Sequence, residues 1–182
     1  LLHQAFHDPL TSLPNRARVM DRLDHALASV ERVGGTVAVL FLDLDEVKVT
    51  NDSLGHKVGD SLLIAVGARI AGALRLGDTV ARLGGDEFTV LLEEIVAVEE
   101  AIEVAERVAE ALKTPFHIDG HDIFISTSVG IALSTTDQST STDLRSNADI
   151  AMYEAKKGGR ARYALFEQGM NSRLWERIQV EA

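Results

Sequence analysis

Hydrophobic residues recur along this chain with two different spacings, which together predict helices that alternate with strands. Spacings of three and four residues are typical of a helix with one buried side, and they predict helices at residues 15–33, 60–74, 98–112 and 143–157. Shorter apolar runs predict strands at residues 36–42, 80–82, 88–92, 114–118, 121–133 and 162–166. This alternation predicts a domain of the α/β or α+β class.

Turn-forming residues mark the ends of several predicted elements. Pro14 precedes the first helix, and Gly34-Gly35 follows it. Asp119-Gly120 stands between two apolar runs and predicts a hairpin. Gly158-Gly159 ends the last helix.

The run at residues 36–42 is almost entirely apolar, which predicts a central strand buried on both faces. Asp43-Leu44-Asp45 follows it directly. Ligands of sheet proteins commonly bind where such strands end, so these carboxylates are candidates for function.

A second acidic group lies in Gly84-Gly85-Asp86-Glu87, at a predicted turn between two strands. The glycines permit a tight turn and leave room for a ligand close to the backbone. If the strands are neighbours, Asp43 and Asp86 can hold Mg²⁺ or Mn²⁺, which prefer oxygen ligands. Two such ions about 4 Å apart would favour phosphoryl or nucleotidyl transfer. Each acidic group alone also fits an ordinary solvated turn.

Residues 46–60 form a polar stretch that predicts a loop and turn. Asn51 and Asp60 carry side chains that can bind the edge of guanine. Asp60 equally fits the N-cap of the helix that follows.

Three basic residues could contact a phosphate: Lys48, Lys156 and Arg160. Lys156 and Arg160 equally fit cations that stabilise the end of a helix.

Composition narrows the class of protein. The chain has 182 residues, of which 46% are hydrophobic, enough for one domain with a substantial core. A net charge of -10 disfavours nonspecific binding to nucleic acid or to an anionic membrane. With no cysteine, disulfides and thiolate chemistry are excluded. We expect a cytoplasmic domain that contacts neither nucleic acid nor membrane.

Read in order, these motifs resemble the GGDEF family of diguanylate cyclase domains over nearly the whole chain. The matching segments are residues 7–16, 41–45, 81–88 and 148–153, together with Lys48, Asn51, Gly55-His56, Gly59-Asp60, Lys156 and Arg160. The resemblance implies a nucleotidyl-cyclase-like mixed sheet with surrounding helices on a ferredoxin-like βαββαβ core. A cyclase that makes a cyclic mononucleotide would share the fold but not the Gly-Gly-Asp-Glu-Phe string.

The resemblance also implies a role for each matching residue. Asp43, the Leu44 carbonyl and Asp86 would bind Mg²⁺ or Mn²⁺, with Asp86 as general base and Glu87 in support. The remaining roles concern GTP: Asn51 and Asp60 would bind guanine, Leu10 would line its pocket, and Lys48, Lys156, Arg160 and the backbone near Glu46 and Val47 would hold the triphosphate.

The implied reaction joins two GTP molecules into cyclic di-GMP and two pyrophosphates. One domain would hold one GTP, so activity would require a homodimer. Arg75 and Asp78 match the family's Arg-x-x-Asp inhibitory site, which implies that cyclic di-GMP also binds as an inhibitor. An ordinary surface ion pair would have the same spacing.

Three positions depart from the commonest family pattern. Ser12 replaces a usual Gly, Val47 a usual Phe, and Thr50 a usual Ile. No ligand is removed, but the order of the phosphate loop and the affinity for GTP are the properties that these changes would alter.

The ends of the chain predict a longer protein. Residues 1–8 would end an upstream linker helix, residues 1–166 would form the GGDEF domain, and residues 167–182 would lead towards an EAL phosphodiesterase domain. Upstream sensors are also expected. The competing hypothesis is a catalytically silent GTP-binding domain that regulates this EAL neighbour. The intact acids Asp43, Asp86 and Glu87 favour the enzyme.

Overall fold

The computed structural model describes residues 2–134 and 140–167, in which helices and strands alternate as expected. The helices are α1 (Leu2–Phe6), α2 (Arg16–Val33), α3 (Val47–Leu54), α4 (His56–Ala73), α5 (Val98–Lys113) and α6 (Ser141–Lys157). The strands are β1 (Thr36–Asp45), β2 (Thr79–Gly84), β3 (Glu87–Ile95), β4 (Phe116–Ile118), β5 (His121–Ile123), β6 (Ser126–Leu133) and β7 (Tyr163–Leu165).

Five strands form the central sheet, in the order β2-β3-β1-β6-β7. All neighbouring pairs are antiparallel except β6 and β7, which are parallel. The order of β1, β2, β3 and β6, with helices between them, is that of a ferredoxin-like core. The predicted fold class, a mixed sheet with surrounding helices, is therefore confirmed.

Alternation along β1 sends successive side chains to opposite faces of the sheet. Leu40 and Leu42 pack with α4 and α5, whereas Val39 and Phe41 pack with α2 and α6. Both faces are thus covered, which explains the almost continuous apolar run. Asp43 and Asp45 continue the series of Phe41 and lie on the α6 side.

A glycine in β6 lets α6 approach the sheet very closely. A Cβ atom at Gly130 would lie 2.1 Å from the Ala148 carbonyl oxygen and 2.2 Å from the Met152 nitrogen. Both of those atoms belong to the backbone of α6 and cannot move independently. The close approach fixes the end of α6 next to the end of β1, where Asp43 lies.

Two sequence predictions about the polar stretch were wrong. Residues 46–60 do not form a loop, because α3 occupies most of them. Asp60 is not an N-cap, because α4 begins at His56 and Gly55 is its N-cap.

The predicted long second arm of the hairpin was also wrong. Asp119 and Gly120 both have positive φ, at 48° and 78°, and they form the expected turn between β4 and β5. The chain then leaves that two-stranded sheet. Strand β6 begins at Ser126 in the central sheet, so residues 121–133 are two strands in different sheets.

The predicted segments at the chain ends are only partly described. Helix α1 occupies Leu2–Phe6, within the expected upstream helix. Of the expected linker at 167–182, all but residue 167 lies outside the described residues. Within the described ranges, no helix combines the length and apolar character needed to cross a membrane.

Candidate functional site

Asp43 lies near the end of β1, where the sequence predicted the candidate acidic residues. Its residue is only 7% exposed, and its Oδ1 atom is buried without a hydrogen-bond partner among the described residues. The other oxygen, Oδ2, is contacted by the ammonium of Lys156 from α6. Because an unpaired buried carboxylate oxygen is unfavourable, Oδ1 is suited to binding a cation.

Asp86 and Glu87 lie beside Asp43, as the sequence predicted for neighbouring strands. Strands β1 and β3 pair with Asp43 opposite Glu87. The Leu44 amide donates a hydrogen bond to the Asp86 carbonyl oxygen at 3.1 Å. Asp43, Leu44 and Asp86 therefore lie next to one another, where β1 ends and β3 begins.

The glycines between β2 and β3 have the freedom that the turn requires. Gly84 and Gly85 have φ values of 144° and 50°, in the region that favours glycine. A Cβ atom on either would meet nothing within 4 Å. The turn consequently leaves open space beside Asp86.

An arginine and an aspartate hold this turn in place. Neither was predicted as a site residue from the sequence. Arg82 donates to the Gly85 carbonyl oxygen through Nε at 3.0 Å and Nη2 at 2.9 Å. Its Nη1 lies 2.8 Å from Asp8 Oδ1, and both side chains are largely buried. The segment before α2 is thereby fixed to the turn that carries Asp86.

The carboxylate of Asp8 is well supplied with donors. Thr11 donates to Asp8 Oδ2 from its backbone nitrogen at 2.9 Å and its hydroxyl at 2.8 Å. Burial alone would raise the pKa of Asp8, but these hydrogen bonds and the Arg82 guanidinium outweigh it and hold the pKa below its ordinary value. Asp8 is therefore ionised in the folded protein near neutral pH.

Asn51 and Asp60 come together because α3 packs against the start of α4. A Cβ atom at Gly59 would lie 1.6 Å from Asn51 Oδ1, so Asn51 occupies the space that a side chain there would fill. Asn51 Oδ1 is buried without a hydrogen-bond partner in the described part of the chain. Asp60 is the next residue and is exposed. Leu10 is partly buried against the core cluster on this side of the sheet.

The start of α3 explains how two of the departures from the family pattern are accommodated. Glu46 has a φ of 74° and precedes the helix. Val47 and Thr50 are both buried, and the Thr50 hydroxyl donates to the Glu46 carbonyl oxygen at 3.4 Å. Lys48 is exposed on the first turn. The polar group of Thr50 is thus satisfied locally, although its bond is long.

Basic residues at the end of α6 and in the loop after it reach the acidic end of β1. Lys156 contacts Asp43, and Arg160 Nη1 lies 3.5 Å from Asp45 Oδ1. Burial and the neighbouring Arg160 charge lower the pKa of Lys156, while its contact with Asp43 favours the charged form. Within the described residues Lys48 makes no such contact, so the structure brings together two of the three predicted phosphate-binding residues.

The oxygen atoms at this end of β1 are suitable ligands for a hard divalent cation. In the described residues no three His, Cys, Asp or Glu side chains cluster as a metal site. The predicted set needs only two, because the Leu44 carbonyl would supply a third oxygen. The unpartnered Oδ1 of Asp43 is the observation that supports Mg²⁺ or Mn²⁺ here.

The comparison with protein families decides what kind of domain this is. The family described as "Diguanylate cyclase, GGDEF domain" matches residues 5–162. The chain belongs to the GGDEF family.

Relatives of this GGDEF domain are found in both curated proteins and solved structures. It is 46% identical over 180 residues to the bifunctional diguanylate cyclase/cyclic di-GMP phosphodiesterase MucR of Pseudomonas aeruginosa, covering 99% of this chain and 26% of MucR. A structure of TpbB from the same organism, comprising only the GGDEF domain, is 41% identical with a TM-score of 0.89, covering 93% of this chain and 99% of that one. The chain spans about a quarter of the length of MucR and 42% of full-length TpbB.

A second similar structure contains a ligand. The GGDEF domain of DgcB from Caulobacter crescentus, in complex with cyclic di-GMP, is 30% identical with a TM-score of 0.83, covering 90% of this chain and 97% of that one.

The predicted inhibitory pair of this GGDEF domain lies at a separate cavity of about 450 Å³. The Asp78 carboxylate accepts a hydrogen bond from the Arg75 backbone nitrogen at 3.1 Å, which holds the two residues together in one turn. Arg22, Glu93 and Glu100 also line the cavity. Arg22 and Glu93 come from α2 and β3. They are far from Arg75 in sequence, so no local motif could predict that they line the same cavity.

Proposed function

We propose that this GGDEF domain is a diguanylate cyclase that condenses two GTP molecules into cyclic di-GMP and two pyrophosphates. The observation that carries the proposal is the position of Asp43, whose Oδ1 has no partner among the described residues, next to the open glycine turn that carries Asp86. Bound Mg²⁺ or Mn²⁺ would polarise the α-phosphate and favour the attacking alkoxide. Asp43, the Leu44 carbonyl and Asp86 would hold the metal.

The guanine base would be bound on the α3 and α4 side of β1. Asp60 can accept from the guanine N1 and exocyclic amine, and the Asn51 amide beside it can bond to the guanine acceptors. The Oδ1 atom of Asn51 has no partner among the described residues, so the side chain is free to bind a base. Leu10 would contribute an apolar contact. Adenine presents an acceptor at N1 where guanine presents a donor, so the Asp60 carboxylate favours guanine over adenine.

The triphosphate would lie at the end of β1, on the face of the sheet that α6 covers. The Lys156 ammonium contacts the Asp43 carboxylate, so it lies beside the proposed metal ligands and would bind a phosphate placed there. Arg160 and Lys48 would add charge, and the backbone amides near Glu46 and Val47 would add hydrogen bonds. These cations offset the net negative charge of the domain only locally.

Catalysis would require two domains. Each holds one GTP, and the 3′-hydroxyl of each nucleotide must attack the α-phosphate of the other. We propose a homodimer that faces the two sites about a two-fold axis. Asp86 would accept the proton of the attacking hydroxyl, and Glu87, opposite Asp43 in the strand pair, would support the metal ligands.

The cavity at Arg75 and Asp78 would bind cyclic di-GMP as an inhibitor. Arginine is suited to phosphate and to stacking on guanine, and carboxylates accept from guanine donors. The similar DgcB domain was solved in complex with cyclic di-GMP, which supports binding of this ligand by the family.

A second candidate function is a GTP-binding regulator of an adjoining EAL phosphodiesterase, as a cytoplasmic domain within a longer chain that has an upstream sensor. MucR, 46% identical, is named as both cyclase and phosphodiesterase, which favours a longer chain with two activities. The two candidates differ in turnover: a regulator would bind GTP at Asn51 and Asp60 without forming product.

Product formation from GTP across a range of protein concentrations tests the proposal. A cyclase yields cyclic di-GMP more than linearly with protein, in the presence of Mg²⁺ or Mn²⁺. Asp86→Ala should abolish product, whereas Asp24→Ala, at an exposed site on α2, should not. Tight GTP binding without product at every concentration would establish the regulator instead.

A further inference from the structure

Asp45 is the most buried charged side chain at the end of β1, and the proposed mechanism gives it no role. Its residue is 3% exposed. It lies two positions after Asp43 and on the same face of the sheet. A carboxylate so deeply buried needs several donors to remain charged.

Among the described residues, four donors from two different segments surround this carboxylate. From β6, the hydroxyls of Ser126 and Ser128 donate at 2.7 and 3.1 Å. From the segment after α6, the Ala161 backbone nitrogen donates at 3.3 Å and Arg160 Nη1 at 3.5 Å. Asp45 therefore connects the centre of the sheet to the loop that follows α6.

That loop has a backbone conformation that requires such support. Gly159, Arg160 and Ala161 have consecutive positive φ values of 118°, 62° and 49°. Two of them carry a Cβ atom, which makes the left-handed region unfavourable. The Ala161 amide bonded to Asp45, and the Arg160 amide bonded to the Ala155 carbonyl oxygen at 3.2 Å, hold the loop in this form.

The guanidinium of Arg160 projects from this loop and is mostly exposed, with 60% of its side chain accessible. An exposed arginine samples many rotamers, and binding a phosphate requires one of them. A single contact from Asp45 to Nη1 leaves the other nitrogens available. Asp45 also accepts from two hydroxyls and an amide, so its negative charge is shared among several donors. It therefore does not fully neutralise Arg160, which can still bind a phosphate.

We infer that Asp45 is a positioning residue, which orients Arg160 for the phosphates of the nucleotide through the loop of residues 159–161. This inference rests on the proposed function, because it assigns the phosphates of GTP as the ligand of Arg160. Asp45 would act through Arg160 and not by binding substrate or metal itself. Its effect is confined to the phosphate side of the site.

Asp45→Asn tests the inference, with Asp24→Asn as a matched control on an exposed helix surface. Titrations with GTP and with guanosine, in the presence of Mg²⁺, separate the phosphate and base contacts. Asp45→Asn should weaken the binding of GTP about tenfold, which is the loss expected for one charge-assisted hydrogen bond. The affinity for guanosine should be unchanged. The double variant Asp45→Asn with Arg160→Ala should bind GTP no more weakly than Arg160→Ala alone. Equal losses for GTP and guanosine, or additive losses in the double variant, would overturn the inference.

Two further measurements keep the test decisive if Asp45→Asn folds poorly or if the domain binds no GTP. Ser126→Ala retains the carboxylate and removes one donor, and should give a smaller loss that is again specific to GTP. The ¹⁵N relaxation of Arg160 Nε reports its order without any ligand. Lower order in Asp45→Asn or Ser126→Ala supports positioning even if the proposed GTP binding fails, and unchanged order in both contradicts it.

Discussion

Gly59 and Asn51 share a space that only one side chain can occupy. The amide oxygen of Asn51 lies 1.6 Å from where a Cβ atom on Gly59 would be. The missing side chain of Gly59 thus permits the conformation in which Asn51 sits beside Asp60.

Gly59→Ala should therefore displace Asn51 while leaving the fold intact. We expect GTP affinity to fall at least about tenfold, because the hydrogen bonds of Asn51 to guanine would be lost. Calorimetric titration with GTP measures this. Gly72→Ala in the same helix is the matched control, since a Cβ atom there meets nothing within 4 Å. It should bind GTP normally and be more stable by up to about 1 kcal/mol.

Arg82→Ala should destabilise the domain strongly, because it leaves the buried Asp8 carboxylate without its ion-pair partner. A loss of about 3 kcal/mol or more in the free energy of unfolding is expected. Urea denaturation provides the measurement, with Arg16→Ala as a control at an exposed arginine. Similar losses in the two variants would show that the contact between Arg82 and Asp8 contributes little.

Asp8 should also make stability depend on pH. Its pKa is lowered in the folded state, so its contribution is fully present above the unfolded value of about 3.9 and is lost as pH falls through the folded value. Asp8→Asn should thus be much less stable than wild type at pH 6, and the difference should shrink below about pH 4. Denaturation at several pH values tests this, and a difference independent of pH would contradict it.

Ser12→Gly should stabilise the domain slightly. Ser12 has a φ of 62°, which explains why glycine is usual at this position in the family. Relief of the left-handed conformation is worth about 1 kcal/mol, partly offset by the greater freedom of glycine in the unfolded chain. Thermal melting detects the change, and Ser12→Ala should give no such increase.

Arg75→Ala should weaken binding of cyclic di-GMP about tenfold, because a charged contact to phosphate or guanine is lost. Arg22→Ala should do the same if the whole cavity binds the ligand. Direct titration with cyclic di-GMP is the measurement, and Arg32→Ala, at an exposed position on α2, serves as the control. Unaltered affinity in both cavity variants would rule out this cavity as the product site.

Local patterns predicted most of the fold. The helix at 98–112 and the strand at 36–42 had clear spacing, and the structure differs from them by only a few residues. Helix α3 was missed because its short sequence is mainly polar and its N-cap Glu46 supplies no capping side chain. The break between β5 and β6 was missed because periodicity shows that a segment is extended, not which sheet it joins.

Within the candidate site, residues adjacent to recognisable turns were the predictable ones. Asp43 and Asp86 follow from strand ends and a glycine pair, and the structure brings them together. Asp8 and Arg82 are 74 positions apart, so no local pattern connects them. Asp45 likewise depends on contacts with Ser126 and Ala161, which only the folded chain brings near it.

The alternation of side chains along β1 separates the site into two halves. Asp43 faces α6 with Lys156, whereas Asn51 and Gly59 lie on the side of α3 and α4. Substitutions on one face can therefore accumulate without disturbing the other. A descendant of this domain that lost its acids could keep its preference for guanine and become a nucleotide sensor, and one with altered base contacts could keep its metal chemistry for a different nucleotide.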